Sequence, residues 1–329
     1  MTIAAIIAEF GAYYLNNGQN AARLVQLLFR PAVTEQLFSP RVTDDTLYQA
    51  SQTRLGRILQ PFHKNWTPLG ALEALPIVIK NFRMKADLEE TPDDLEATWL
   101  GFLAGDSLDR KAWPFVRWFI EVHALPQIQE DYELNEIYLG VRAEPNGTVP
   151  GAAGTAMDGI KVQVNGFITS GKTVPMVLGA IPSDPKAFCD YVEAMAHTTL
   201  KRYRNVPMYM NMNEDLALRY AIGRDAKYNL TTAYVQGAPT PDGNNPLATA
   251  VPIQHARQRV IGLPSMGDST KIWMSPADNM IRLEKKTQNA GQFQIENVDR
   301  KVKLYTDFRK GVGFLMPGAI FTNDQDLAA

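Results

Sequence analysis

The chain has 329 residues, of which 45% are hydrophobic and 21% charged, a balance that suits a folded protein and excludes wholesale disorder. Thirty-three Lys and Arg stand against thirty-five Asp and Glu, for a net charge of −2, so no global field draws the chain to nucleic acid or an anionic membrane. One cysteine, Cys189, excludes intrachain disulfides.

The N-terminal stretch MTIAAIIAEFGAYYL carries no Lys or Arg before Arg23 and is broken by Glu9, so it lacks the basic region of a secretory signal. No stretch approaches the roughly 18 uninterrupted apolar residues of a membrane-spanning helix, and the expectation is a soluble protein made in the cytoplasm. Ile3, Ile6, Ile7 and Phe10, then Leu24, Val25, Leu27 and Leu28, have helical spacing on either side of the polar NNGQN at 16–20. That pair suits either an arm packing beyond its own domain or two ordinary helices on the core.

Residues 55–90 run through the aromatic-rich LQPFHKNW, the turn-like TPLG and then LPIVIKNFRMKADLEE, which predicts a long hairpin. TPDDLEATWLGFLAGD predicts a helix, with Thr91 as cap, Pro92 in the first turn, Asp93, Asp94 and Glu96 near the positive end and Gly105 after it. Residues 113–140 form a second helical block in which Pro126 should force a kink or a restart. The Gly- and Pro-rich stretch at 143–159 reads as a linker or flexible loop.

IKVQV at 160–164 and VPMVL at 174–178 read as strands. The clearest helix follows, capped by Ser183 or Asp184, with Pro185 in its first turn and Phe188, Tyr191, Val192, Met195 and Thr199 on one face. MYMNM at 208–212 predicts a strand leading into the helix NEDLALRYAIG, stopped by Gly223, and 237–246 is a loop by composition. From Arg259 to Asn323, short period-two alternations broken by Gly, Pro, Asn and Asp predict an antiparallel sheet.

Few residues suggest chemistry. GFITSGKT at 166–173 satisfies the phosphate-loop pattern, in which Lys172 would bind phosphates and Thr173 a magnesium ion. Such a loop needs a following helix to present its amides, and Pro175, Gly179 and Pro182 leave no room for one, so the segment reads as a hairpin turn between two strands. Cys189 reads as a small buried apolar residue rather than a nucleophile. His63, His123, His197 and His255 have no metal-ligand spacing. Glu89 with Glu90 and Asp93 with Asp94 lie at a helix entrance, where the dipole accounts for them. Ser265 lacks a nucleophile elbow. Basic clusters at Lys201, Arg202 and Arg204, at Arg257 and Arg259, at Lys285 and Lys286, and at Arg300, Lys301 and Lys303 read singly as solvated faces. Together they would suit backbone contacts to DNA. No catalytic, cofactor or metal residue is assigned, and the chain is not read as an enzyme.

The order of elements resembles tailed-phage major capsid proteins of the Hong Kong 97 type, a fold shared with encapsulin shells. Two stretches strengthen the likeness, QRVIGLPSMGDSTKIWMSPADNMI and KVKLYTDFRKGVGFLMPGAIF. The resemblance implies an α+β fold with an N-terminal arm at 1–54, an extended hairpin loop at 55–90 and a peripheral domain with a spine helix at 91–182. An axial domain at 183–262 and C-terminal strands at 263–329, completing both domains, would follow. It also implies a shell subunit forming hexamers and pentamers around double-stranded DNA, located in the virion and assembled in the bacterial cytoplasm. Scaffolding, portal and decoration proteins would be its partners, and no membrane. The start at Met1 implies a separate scaffold or a short arm. An encapsulin-like compartment is one alternative, and a nucleotide-binding protein built on GFITSGKT is another.

Overall fold

A computed structural model describes residues 32–105, 108, 113–201, 203–228, 250–285, 293–298 and 301–327, together with Ala5 and Ala8. The expected helix pair at 2–30 and loop at 237–246, and Arg202, Lys286 and Arg300 of the basic clusters, lie outside these residues apart from Ala5 and Ala8.

Helices and strands mix in an α+β arrangement. Strand β1 (Ser39–Val42) leads into a hairpin of β2 (Leu47–Leu55) and β3 (Leu72–Lys80), paired antiparallel from Leu47↔Lys80 to Leu55↔Leu72. One residue later, β4 (Phe82–Glu90) leaves the hairpin. It pairs instead with the long C-terminal strand β11 (Lys301–Phe314), in the register Val302↔Glu90 to Lys310↔Phe82. The hairpin expected over 55–90 is therefore displaced: its strands are 47–55 and 72–80, and 82–90 belongs to the body. The physical reason lies in β4, where Met84 is buried and alternates with exposed Arg83 and Lys85, a pattern for covering one face of a larger sheet.

Helix α1 (Pro92–Gly105) follows, then a helical run, α2, over 115–136. Its segments Phe115–Trp118 and Leu125–Asp131 are α-helical, and Phe119–Ala124 and Tyr132–Glu136 wind as wider π turns. The restart expected at Pro126 is present: the proline is the second residue of the α-helical segment that begins at Leu125, and the turn before it is widened. The Leu125 N–H reaches Ile120 O, five residues back, so the extra residue absorbs the ring that an α turn would clash with.

Helix α3 (Ile160–Thr169) corrects the expected strand at 160–164. The apolar residues there satisfy period two but also recur at i and i+4, and Ile160 and Val164 are both fully buried. Tertiary hydrogen bonds favour the helix: the N–H groups of Gly159, Ile160 and Lys161 donate to the carbonyls of Gly140, Ile137 and Tyr138. The free amides of one helix start thus complete the free carbonyls of another helix end. Residues 174–178 form no strand, and Met176 makes only a bridge to Asn323.

Helix α4 (Pro185–Thr198) is capped by Asp184, which accepts from the Ala187 N–H at 2.9 Å, as the sequence pattern predicts. Strand β5 (Met208–Met212) and helix α5 (Glu214–Tyr228) follow. Gly223, expected to stop α5, lies inside it. A Cβ there would meet Pro185 O at 1.9 Å, so the glycine permits the close crossing of α5 over the start of α4.

The C-terminal part is strand-rich, as its alternation predicts, with β6 (Val251–Pro252), β7 (Arg259–Gly262), β8 (Trp273–Pro276), β9 (Met280–Glu284), β10 (Gln294–Val298), β11 and β12 (Phe321–Thr322). These strands divide between two sheets. One has the order β1-β9-β11-β10 with β4 also on β11, and the other β12-β8-β5-β7-β6. Two pairings are parallel, β1 with β9 and β5 with β7, and the other sheet pairings are antiparallel. The first sheet shares a core with α1, α2 and α3, around Trp99, Ile120, Tyr138, Val164 and Phe314. The second core joins α4 and α5 to the other sheet through Phe188, Val192, Met210, Tyr220 and Met274.

Candidate functional site

The hairpin divides into a rooted base and a bare tip. Because side chains alternate along β3, Ile77 and Ile79 turn inward and are buried with Ile281 and Leu283 of β9, while Val78 faces solvent; Leu75, on the same face as Ile77 but nearer the tip, is exposed as well. Beyond the strands, the loop 56–71 holds Leu59, Phe62 and Trp66 at 82%, 95% and 91% exposure. It is closed by its own polar groups. Gln60 Nε2 donates to Thr67 O at 2.7 Å, the Thr67 hydroxyl donates to Gln60 Oε1 at 3.2 Å, and His63 Nε2 lies 3.0 Å from the same hydroxyl. An organised loop that leaves two aromatic rings in water carries a large unclaimed hydrophobic contribution, about 1.5–3 kcal/mol for each large side chain that a partner buries. Contiguous exposed apolar surface of this kind marks an interaction site.

The segment feeding the hairpin is held by a buried polar cluster. The Thr34 N–H donates to both carboxylate oxygens of Glu133 on α2, at 3.0 and 3.2 Å, and the Thr34 hydroxyl lies within hydrogen-bond distance of Glu133 Oε1 and of Ser265 Oγ. Next to it, Glu35 accepts from Lys310 Nζ at 2.9 Å and from the Tyr132 hydroxyl at 3.3 Å, with Arg282 3.9 Å away. Burial pushes the Glu133 carboxyl above its usual range, an effect that the Thr34 bonds oppose and the nearby Glu35 charge reinforces. Burial also raises the Tyr132 hydroxyl well above its ordinary value, helped by Glu35. Such a cluster costs desolvation but fixes one geometry, because either carboxylate left alone would be a bare buried charge.

A second cluster pins the other end of the chain. Asp326 pairs with Lys161 of α3 at 2.8 Å and accepts from the Ser269 hydroxyl at 2.6 Å. Lys271, fully buried, donates to Gln325 O at 3.0 Å. Burial pushes Lys271 down to about 8. Burial alone would raise Asp326, but its bonds from Lys161 and Ser269 outweigh that and hold it below its ordinary value.

The residues singled out for chemistry are dispersed. GFITSGKT is the C-terminal end of α3. The N–H groups of Gly171 and Lys172 donate to Ile168 O and Phe167 O, and Gly171 adopts φ +69°, the geometry of a glycine helix cap. The amides that a phosphate loop would offer are therefore spent on the helix's own carbonyls. The negative end of the helix dipole faces this turn, and the Thr173 hydroxyl donates to Pro317 O at 2.7 Å. The expected hairpin turn and its nucleotide-binding alternative are both replaced by a helix terminus.

Cys189 is fully buried and its thiol is pushed up to about 12, by burial first and then by Glu193. His123 packs edge-on against Trp118 at 4.6 Å, His63 lies in the hairpin loop, and no group of His, Cys, Asp or Glu among the described residues could hold a metal. Ser265 belongs to the Thr34 cluster. Glu89 is paired with Lys301 at 2.5 Å and with Lys303 at 3.5 Å across β4 and β11, which accounts for two residues of one basic cluster. Arg204 donates to His197 O.

A groove of about 1140 Å³ lies between β4, the second half of α2 and the loop at 142–156. Met84, Ile128, Val149, Pro150 and Phe308 supply its apolar lining. The linker expected at 143–159 is thus one wall of this groove.

No family model matches the chain, and no curated protein matches it by sequence. Solved structures match it over nearly its whole length. A chain of the satellite phage P4 procapsid that includes the size determination protein superposes with a TM-score of 0.54 at 9% identity, covering 94% of this chain and 90% of that one. A chain from the capsid of a native GTA particle superposes with a TM-score of 0.50 at 12% identity, covering 89% of this chain and 96% of that one. The chain therefore has the fold of tailed-phage major capsid proteins, the one its order of elements resembles.

Proposed function

We propose that the chain is a major capsid protein, a structural subunit that assembles with copies of itself into hexamers and pentamers of an icosahedral shell. The observation that carries this reading is the projecting hairpin, a closed loop whose largest apolar residues, Phe62 and Trp66, are more than nine-tenths exposed in a chain folded like phage capsid proteins. Obligate interfaces need large apolar area rather than net charge, and a net charge of −2 limits repulsion among many copies.

On this reading residues 91–182 form the peripheral domain around α2, 183–262 the axial domain, and the C-terminal strands complete both, with 1–54 as an arm. Double-stranded DNA is the content, touched through its backbone, and scaffolding, portal and decoration proteins are the further partners. The shell lies in the virion after assembly in the bacterial cytoplasm, and its work is architectural rather than enzymatic.

Electron microscopy of the purified protein is the test. Closed shells, tubes or capsomers are expected, and featureless monomers would sink the reading. Replacing residues 57–70 by a short turn should leave a folded subunit that no longer closes shells. Protein cargo in place of DNA inside native particles would redirect the reading to an encapsulin-like compartment.

A further inference from the structure

Three Asn-Gly pairs occur in the chain, at 17–18, 146–147 and 165–166, and the first lies outside the described residues. An asparagine followed by glycine is open to a reaction of its own. The nitrogen of the next peptide can reach the side-chain carbonyl carbon when no side chain stands in its way. The fold treats the two described pairs in opposite ways.

Asn165 is buried on α3, its Nδ2 donates to Asp326 O at 3.3 Å, and the Gly166 peptide belongs to the helix. A helical backbone ties that peptide N–H into its hydrogen-bond ladder and denies it the freedom to attack. Asn146 is exposed on the loop at 142–156, and so are Gly147 and Thr148. Their turn is closed by the Val149 N–H, which donates to Asn146 O at 3.2 Å. Within it, Asn146 Oδ1 accepts from the Thr148 N–H at 3.3 Å and from the Thr148 hydroxyl at 2.9 Å. Those bonds fold the side chain over the peptide that follows it.

Two details favour reaction at this turn. Both donors sit on the oxygen, where they draw charge from Cγ and stabilise an oxyanion formed there, while Nδ2, the leaving group, donates to nothing among the described residues. Gly147, moreover, has no structural reason to be glycine. A Cβ there would meet nothing within 4 Å, and its φ is not positive.

We propose that Asn146 is a site of spontaneous self-modification, passing through a succinimide to aspartate and isoaspartate. The Gly147 nitrogen bonds to Asn146 Cγ and the Cγ–Nδ2 bond breaks. The amide leaves as ammonia, taking the proton that the Gly147 nitrogen gives up. Water then opens the ring and returns a hydrogen to the ring nitrogen. Its oxygen adds either to Cγ, which gives aspartate, or to the main-chain carbonyl carbon, which gives isoaspartate with the main chain routed through Cβ. Nothing is oxidised or reduced, and water is the one co-reactant. Each conversion adds a permanent negative charge to the groove wall that Asn146 shares with Glu144. The proposal is independent of the shell-subunit reading.

Ageing the full chain at neutral pH in water enriched in heavy oxygen tests this. Trypsin cuts after Arg142, Lys161 and Lys172, so the two pairs fall in separate peptides, and fragment masses place each new carboxylate. Residue 146 should become a mixture of aspartate and isoaspartate carrying heavy oxygen, while Asn165 keeps its amide. Unfolding in urea should bring residue 165 into the reaction. Gly147→Ala, at a position with room for the methyl group, should slow residue 146 by about tenfold, because that methyl obstructs the attacking nitrogen. Thr148→Val should slow it by about threefold, a small loss because water can replace the donor at an exposed turn. A rate unmoved by Thr148→Val overturns the part given to the hydroxyl. An Asn146 that keeps its amide as long as Asn165 in the folded protein, or that converts as fast in Gly147→Ala, overturns the proposal.

Discussion

Gly311 of β11 lies directly against the backbone of Lys80, where a Cβ would come within 2.2 Å of the carbonyl oxygen. The root of the hairpin is seated in this notch, because the neighbour is main chain and cannot swing aside. Gly311→Ala should therefore destabilise the protein by about 2–3 kcal/mol in urea unfolding, through forced backbone displacement. Gly166 has nothing within 4 Å and lies on the exposed side of α3, so Gly166→Ala should stabilise by about 0.5–1 kcal/mol. Equal effects of the two substitutions would refute this assignment of roles.

Thr34→Val keeps the shape of the residue but removes the hydroxyl between Glu133 and Ser265. A hydrogen bond to a charged group is worth about 1.5–3 kcal/mol, and a loss of that size is expected at neutral pH. The Glu133 carboxyl is already raised by burial, so the folded state binds more protons than the unfolded one above the ordinary value of 4.5, and stability falls as pH rises through that window. Losing a donor to the anion widens the window. The penalty of Thr34→Val should therefore be smaller at about pH 5 than at about pH 8. A penalty that is flat with pH would show that Glu133 does not feel the missing hydroxyl.

Lys271 offers a titration of opposite sign. Its folded value is about 8 against an ordinary 10.5, so between these the unfolded chain holds more protons and stability rises with pH. At about 1.36 kcal/mol per pH unit the gain is at most about 3 kcal/mol. Lys271→Met lacks this slope, and wild type should gain on the variant between about pH 8 and pH 10.5. Parallel stability curves would count against the assignment.

Lys172 and Thr173 separate a helix cap from a phosphate loop. Thr173→Val removes the donor to Pro317 O and should cost about 1–2 kcal/mol. Lys172→Ala, at an exposed position, should stay within about 0.5 kcal/mol. Adding ATP with magnesium should leave the melting temperature of wild type unchanged. A nucleotide-dependent rise abolished by Lys172→Ala would restore the nucleotide-binding reading.

These contrasts show what the sequence could and could not reveal. Helix α4 was legible because Asp184, Pro185 and the spacing of Phe188, Val192 and Met195 are all local signals. The C-terminal strands were legible because β11 alternates cleanly over its first ten residues, with Val302, Leu304, Thr306, Phe308 and Lys310 all turned inward. Helix α3 was not: Ile160 and Val164 fit both periods, Val162 between them completes the period-two pattern, and the deciding hydrogen bonds come from the residues that follow α2. Gly223 was misread because the residue that requires it, Pro185, is distant in sequence. The Thr34 cluster had no local signature at all, since Thr34 and Glu133 are 99 residues apart and Glu35 and Lys310 are 275 apart.

The loop between α2 and α3 leaves and re-enters the fold at one place, because Gly159 donates to Gly140 O and Val141 to Gly154 O. Its two ends are clasped before its middle begins. Lengthening or shortening the middle changes only a closure entropy that grows slowly, about 0.6 kcal/mol for a doubling of length, and moves neither helix. One wall of the groove can therefore be rewritten, residue by residue or by insertion, while the framework keeps its register.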